Sequence, residues 1–302
     1  MRSYYSSNVI LFIITYSTQL IRVSSFESLA DVFDYQVCLW MYKLNEKLGR
    51  GGFGLVYKAT HRKTKVNYAI KFLKCHGAAS DFIQLWREVD VLSNFQSEYI
   101  VKHYHSFPLH TKQEIAIVME FCSGGSLKNL VKERGRLSEK DAHTIFTQLV
   151  AGVEYFHKWQ VIHWDLKLDN IVLSDKDSLR IKIVDFGISG IRNADKSNYG
   201  TLYYMAPETL RFHQTNADSP IDVWSMGIIL YALLIGELPF WESRLEDMRR
   251  VTKEGVTFSE DIPLSPEVKK LIKDMLRYDP TDRITLGFIT HTPWVTQSKI
   301  SE

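Results

Sequence analysis

Cysteine is scarce and scattered in this chain. Its three cysteines, Cys38, Cys75 and Cys122, lie far apart and form no CxxC pair. That excludes a disulfide-stapled scaffold and a cysteine-ligated zinc site, and a reducing, cytoplasmic setting is expected. A dominant charge sign is missing too. Lys and Arg number 37 against 35 Asp and Glu, a net charge of +2. So small an excess does not draw in nucleic acid by bulk attraction, and no nucleic-acid partner is expected. Repeats and low-complexity tracts are absent. Long hydrophobic runs are absent as well. The stretch "NVILFIITYSTQLI" at residues 8–21 has an unbroken apolar core of only six residues, Val9 to Ile14. A spanning helix needs about 20. Arg2 precedes it, but no small-x-small cleavage site follows. Residues 8–21 are the one stretch with membrane character, and no membrane partner is expected from them.

What is present is ordinary for a globular protein: 302 residues, 45% hydrophobic and 24% charged. The length is too great for one minimal core and suits two lobes or domains. Residues 1–41 form an extension of uncertain structure: a stray strand, a disordered segment, or a stretch outside the interpretable sequence, which begins at "MYKLNEKLG". From Tyr42 the texture is strand-like. "YKLNEKLG", "GLVYKAT" and "VNYAIKFLK" are short and β-rich, with the polar turn "HRKTK" between the last two. "SDFIQLWREVDVLSNF" then repeats Phe82, Leu85, Trp86, Val89 and Leu92 at helical spacing, with Ser80 as N-cap. Two further strands are expected around "IVKHYHSF" and "EIAIVMEF".

Beyond "CSGGS" the pattern turns helical. "SEKDAHTIFTQLVAGVEYFHKW" reads as a long amphipathic helix with Ser138 as N-cap and an acidic first turn. "PIDVWSMGIILYALLIGEL" is apolar nearly all round, so a buried core helix is expected. "SPEVKKLIKDMLRYDP" is another amphipathic helix, bounded by Ser265 and Pro280.

Chemistry-bearing residues begin at "LGRGGFGLVYKA". Gly49, Gly51 and Gly54 are spaced G-x-G-x-x-G, with Gly52 between them and Val56 after. Glycines let a turn offer backbone N–H groups to phosphate without side-chain obstruction. A dinucleotide fingerprint would open a helix. Here a second strand follows, so a hairpin flap over phosphates fits better than that rival, and a plain glycine-rich turn is the bland reading. Lys71 in "YAIK" sits inside a strand, where an ammonium needs an anionic partner. Glu88 is the natural candidate, with Asp90 and Glu98 as alternatives. A snorkelling lysine at a strand edge is the competing reading.

With these residues in view, the sequence resembles the eukaryotic protein kinase family. "GRGGFGLV" and "AIK" are followed in order by "HWDLKLDN" (163–170), "DFG" (185–187), "APE" (206–208), "DVWSMG" (222–227) and "DPTDR" (279–283). The resemblance covers Tyr42 to Val295. It implies an α+β, two-lobed fold: a small β-rich N-lobe with one main helix, about 42–121, and a larger, mostly helical C-lobe, about 122–295. Residues 296–302 would be a short tail.

The resemblance further implies a serine/threonine kinase that uses ATP and Mg²⁺ on a protein substrate bearing Ser or Thr, with a monomer as the default. Lys71 would contact the phosphates and pair with Glu88. Asp165 would take or orient the proton of the substrate hydroxyl, and Lys167 would stabilise the transferred phosphate. Asn170 and Asp185 would hold Mg²⁺. Leu48, Val56, Ala69, Met119 and Val172 would line the adenine pocket, and the backbone of Glu120 and Cys122 would bond its edge. Thr201 and Lys167 point to the serine/threonine class. Phe186 and Gly187 complete "DFG". Glu208 and Arg283 resemble an ion pair that anchors the activation segment, and Asp222 a brace of the catalytic loop. "LKLDN", "DVWSMGIILYALLIGELPF" and "HTPWV" resemble the calcium/calmodulin-dependent and AMP-activated kinase group.

One position departs. Trp164 stands where the family carries an arginine that pairs with a phosphorylated activation-segment residue, for which Ser197 is the candidate. An indole cannot make a bidentate, charge-assisted pair with phosphate. The expectation is a kinase whose activity does not depend on that phosphorylation. The alternative is a pseudokinase that binds nucleotide and acts as a scaffold.

Overall fold

The computed structural model describes residues 40–51, 54–74, 89, 93–109, 114–185, 202–210, 220–242 and 244–297. The apolar stretch at 8–21, Gly52, Glu88, Leu92, Phe186, Gly187, Ser197 and Thr201 lie outside them, as does nearly all of the helix expected after Ser80.

The strands fall where the alternation places them. They are β1 (Tyr42–Gly51), β2 (Gly54–His61), β3 (Asn67–Lys74), β4 (His103–Leu109) and β5 (Glu114–Glu120). They make one antiparallel sheet in the order β1-β2-β3-β5-β4. Period-two alternation sends Ala69, Lys71 and Leu73 of β3 to one face and Ile70 and Phe72 to the other. On that second face Ile70 packs with Tyr42, Ala59, Leu109, Ala116 and Val118 in a small core of its own. Gly54 is fixed by the sheet itself. Its φ is +153°, and a Cβ there would lie 1.7 Å from the Phe72 carbonyl oxygen. Only glycine allows β2 and β3 to approach so closely at their tip.

The rest of the chain is mostly helical: α1 (Leu127–Arg134), α2 (Glu139–Lys158), α3 (Pro220–Ile235), α4 (Leu245–Glu254), α5 (Pro266–Met275) and the single turns α6 (Leu286–Ile289) and α7 (Pro293–Thr296). A two-stranded ribbon, β6 (Ile171–Leu173) and β7 (Ile181–Ile183), lies between α2 and α3 in sequence. Ser138 caps α2 as expected, its Oγ accepting from the Asp141 N–H at 3.1 Å. Ser265 caps α5 by the same contact with Val268 at 3.3 Å. Helix α3 is buried on all sides from Ile221 to Leu234. It stops at Ile235, three residues short of the expected end, because Gly236 takes φ +91°. Among the described residues no helix is long and apolar enough to cross a membrane.

Two sets of bonds tie distant segments. Glu139, first residue of α2, accepts from Ser265 N–H (3.0 Å), Ser265 Oγ (2.5 Å) and Trp294 Nε1 (2.7 Å). Between the lobes, Ile183 N–H donates to Tyr99 O (2.8 Å) and Val101 N–H to Ile183 O (3.0 Å), a parallel bridge just ahead of β4.

Candidate active site

The loop 163–170 joins α2 to β6, and the first turn of α3 holds it in place. Asp222 is fully buried. Its Oδ2 accepts from the His163 backbone N–H (3.0 Å) and from His157 Nε2 (2.8 Å), and its Oδ1 accepts from the Trp164 N–H (3.1 Å). Trp164 takes φ +66°, a conformation costly for a bulky residue unless its surroundings enforce it. The carboxylate supplies that enforcement. His163 is buried, and its Nε2 donates to the Val184 carbonyl at 3.0 Å, coupling the loop to the segment entering Asp185.

Asp165 follows. Its Oδ2 accepts from Lys167 Nζ (2.7 Å) and Asn170 Nδ2 (3.0 Å), and the same amide also bonds its carbonyl (2.8 Å). The other carboxylate oxygen, Oδ1, is buried and has no hydrogen-bond partner among the described residues. A buried acceptor left unmade costs about 1–3 kcal/mol, more when charged. Such an atom is set up to receive a donor from outside the chain.

Lys71 projects from the middle of β3, only 3% exposed. Its Nζ lies 2.8 Å from Asp185 Oδ1. The partner expected from sequence, Glu88, lies outside the described residues. The described ion pair bridges 114 positions. Burial pushes the Asp185 carboxyl upward, but the Lys71 ammonium, aided by His163 and Lys167, outweighs it and holds the group below the ordinary carboxylate range. Asp185 itself sits at φ +60°.

The side chains assigned to line the adenine pocket come from five strands. Leu48 is on β1, Val56 on β2 opposite Lys71, Ala69 on β3 opposite Met119 of β5, and Val172 on β6. Leu48 is exposed, while Ala69 is buried. The connecting segment is pinned to β6: Ser123 and Gly124 N–H groups donate to the Ser174 and Leu173 carbonyls (both 3.1 Å). Glu120 spends its backbone N–H on Lys102 O (2.9 Å), and its Oε2 lies 3.1 Å from Lys182 Nζ. Burial, reinforced by the Glu120 charge and opposed by Lys182, pushes the Cys122 thiol up to about 12. Gly49 has nothing within 4 Å of where a Cβ would stand, and Gly51 pairs with Gly54 at the hairpin tip.

Asn170 and Asp185 are both hard-oxygen donors. Asn170 turns its amide nitrogen to Asp165, leaving its amide oxygen as the candidate ligand. Among the described residues no group of three or more His, Cys, Asp or Glu could hold a metal alone. Mg²⁺ characteristically takes one or two carboxylates and completes its shell with water and substrate phosphate, so this donor set fits it.

Arg283 is the last expected member. Its guanidinium forks onto Glu208 (2.7 and 2.9 Å), donates to the Pro220 carbonyl (2.8 Å) and to the Arg277 carbonyl (3.1 Å), and lies over the Trp224 ring at 5.1 Å. Four features escaped the sequence reading: the Lys71–Asp185 pair, the His157–Asp222 contact, the Lys128–Asp169 pair (2.9 Å) and the Tyr203–Trp241 stack. Each joins segments far apart in sequence and follows no periodicity.

Known proteins resemble this chain over most of its length. The family profile for the protein kinase domain matches residues 42–295. The SNF1-like protein kinase ssp2 of Schizosaccharomyces pombe is 34% identical over 258 residues, 84% of this chain and 44% of the relative. Serine/threonine-protein kinase 33 of Bos taurus is 31% identical over 277 residues, 86% of this chain and 56% of the relative. The chain thus spans about half the length of the curated relatives it matches. Among solved structures, Rad53 1-466 in complex with AMP-PNP superposes with a TM-score of 0.74 at 30% identity, covering 86% of this chain and 66% of that one.

Proposed function

The chain belongs to the protein kinase family, and from that premise we propose that it is an active serine/threonine kinase whose activity does not await phosphorylation of Ser197. The observation that carries the catalytic half is Asp165. The other oxygen of its carboxylate and its carbonyl are bonded from within, while Oδ1 is buried and has no hydrogen-bond partner among the described residues. A Ser or Thr hydroxyl of a protein substrate supplies the donor, and Asp165 takes or orients its proton. Lys167 brings positive charge to within hydrogen-bond distance of the same carboxylate and so to the phosphate accepted there. Lys71 presents its ammonium to the phosphates of ATP, the donor substrate. Asn170 and Asp185 would hold Mg²⁺, which when bound neutralises phosphate charge. Positioning and electrostatics are what phosphoryl transfer asks of a protein, and Lys71, Asp165, Lys167, Asn170 and Asp185 are residue types suited to that task.

The regulatory half rests on how Trp164 is held. Asp222 grips its backbone N–H, so the loop keeps its course whatever side chain follows. What the indole removes is only the bidentate cation that would read a phosphate. The scaffold reading is motivated by the same Trp164, but the backbone brace supports the active one. A reducing, cytoplasmic setting belongs to this reading, from the three scattered cysteines.

The test is transfer of labelled γ-phosphate from Mg-ATP to a generic protein substrate. Incorporation well above that of an Asp165→Asn variant is expected, and equality of the two overturns the catalytic reading. Thermal stabilisation by Mg-ATP without turnover would establish the scaffold instead.

A further inference from the structure

Charge is unevenly placed in this chain. From Trp40 to Lys74, along β1, β2 and β3, stand nine Lys and Arg and one carboxylate, Glu46. The net charge of the whole chain is only +2, so the remainder is acidic. Lys58 meets Glu46 at 3.2 Å, Lys71 meets Asp185 at 2.8 Å and Lys74 meets Glu114 at 3.6 Å. Lys43, Lys63 and Lys65 are exposed and meet no carboxylate among the described residues.

Those three cations gather at one end of the sheet. Lys63 and Lys65 lie in the turn between β2 and β3, with Arg62 exposed beside them. Lys43 of β1 stands opposite Thr60, next to the start of that turn. The Arg62 N–H donates to the Met41 carbonyl at 2.8 Å, which brings Trp40 to the same place. Trp40 is 69% exposed and Val66, at the far side of the turn, 50%.

The turn is fixed. The His61 N–H donates to the Val66 carbonyl (2.9 Å), the Lys65 N–H to the His61 carbonyl (2.8 Å) and the Thr64 N–H to His61 Nδ1 (3.1 Å). The His61 ring stands edge-on to buried Tyr42. Charges on so firm a base lose little backbone freedom when a partner arrives. Lysines on an edge strand have a plainer use, since they keep it from pairing with another sheet. β1 is an edge strand, and that accounts for Lys43. It accounts neither for the cations of the turn nor for a tryptophan left open to water.

Cations around an exposed Trp and Val suit an anionic bilayer. Lys and Arg meet the headgroups, and the indole settles at the boundary between polar and apolar layers. A soluble acidic segment would use the cations alone. Lasting attachment takes charge and apolar contact together. The apolar run Val9 to Ile14, too short to span a bilayer, belongs to the stretch of chain that leads into Trp40. The patch is also clear of the catalytic cleft. β2 runs from Gly54 at the glycine turn to His61 at the patch, about 23 Å at strand spacing.

We propose that the turn from His61 to Val66, with Trp40 and Lys43, docks the first lobe on a membrane surface that carries anionic phospholipid. This goes beyond the kinase reading and does not depend on it.

The experiment is sedimentation of the full chain with phosphatidylcholine vesicles, with and without phosphatidylserine. Binding is expected only with phosphatidylserine and should weaken as salt rises. Lys63→Gln/Lys65→Gln should weaken it about tenfold or more, and Trp40→Ala should weaken it without changing its salt dependence. Lys132→Gln/Lys253→Gln removes the same charge from the second lobe and should bind as the parent does. No binding to phosphatidylserine vesicles, or equal losses in the two double variants, overturns the patch. Unchanged binding in Trp40→Ala, or full competition by soluble polyglutamate, overturns the bilayer as its occupant. Circular dichroism melting of each variant separates lost binding from lost folding, and the whole measurement needs no turnover.

Discussion

Asp222 holds Trp164 by its backbone, with Oδ1 3.1 Å from the peptide N–H and no demand on the side chain. The same carboxylate holds His163. A replacement at position 164 therefore leaves the catalytic loop this backbone support.

From this, Ser197→Ala should leave kcat/KM within a few-fold of the parent. Trp164→Arg should create a dependence the parent lacks: phosphatase treatment should slow that variant about tenfold or more and leave the parent unaffected. A 100-fold loss in Ser197→Ala, roughly 2.7 kcal/mol of transition-state stabilisation, would contradict the regulatory reading.

Asp222→Ala removes three hydrogen bonds at once and frees Trp164 from φ +66°. Displacement of Asp165 by an ångström costs on the order of 100-fold in rate. Single-turnover kinetics should show that loss in kcat. A variant within threefold of the parent would mean that the brace is dispensable.

Arg283→Gln leaves Glu208 as an uncompensated carboxylate and strips donors from the Pro220 and Arg277 carbonyls. Breaking a buried ion pair from one side costs about 3–5 kcal/mol. For a domain of this size Tm should drop by roughly 10 °C, read by circular dichroism. A shift under 2 °C would show the pair to be structurally idle.

Lys71→Met has a pH signature. Asp185 is held low, so it contributes stability above the ordinary carboxylate value of about 4 that is lost as pH falls through its folded value. Removing the Lys71 charge moves the folded value upward and cancels that contribution. The Tm gap between parent and variant should widen as pH rises from the folded value of Asp185 to about 5 and stay level above it. A gap independent of pH would show that Lys71 does not set the state of Asp185.

Cys122, with its thiol at about 12, should be almost wholly protonated at pH 8. Peptide mapping after iodoacetamide treatment should show it alkylated at least 100-fold more slowly than free glutathione, because the thiolate is the reactive form. Comparable rates would mean an accessible, ordinary thiol.

The sheet was legible because its strands alternate and are punctuated by Gly and by "HRKTK". Helices α2, α3 and α5 were legible because each carries a cap or a dense apolar pattern. Helix α4 was not, since only Met248 and Thr252 of "LEDMRRVTKE" are buried, too thin a stripe to stand out. In the site, Asp165, Lys167, Asn170 and Asp222 stood at positions that the ordered motifs assigned. Of the pairings, Glu208–Arg283 followed from the motifs, while Lys71–Asp185, across 114 residues, and Lys128–Asp169, across 41, did not. Linear spacing carries no record of such closures; only the fold brings them together.

The parallel bridge between Ile100 and Ile183 has a mechanical consequence. Residues 99–101 are bonded to β7 on both sides of Ile183, so this piece of the first lobe travels with the second. A widening of the cleft would therefore leave residues 99–101 on β7 while the strands beyond them move. The Lys71–Asp185 contact, made from β3 across to the second lobe, is then the one that such a widening would stretch.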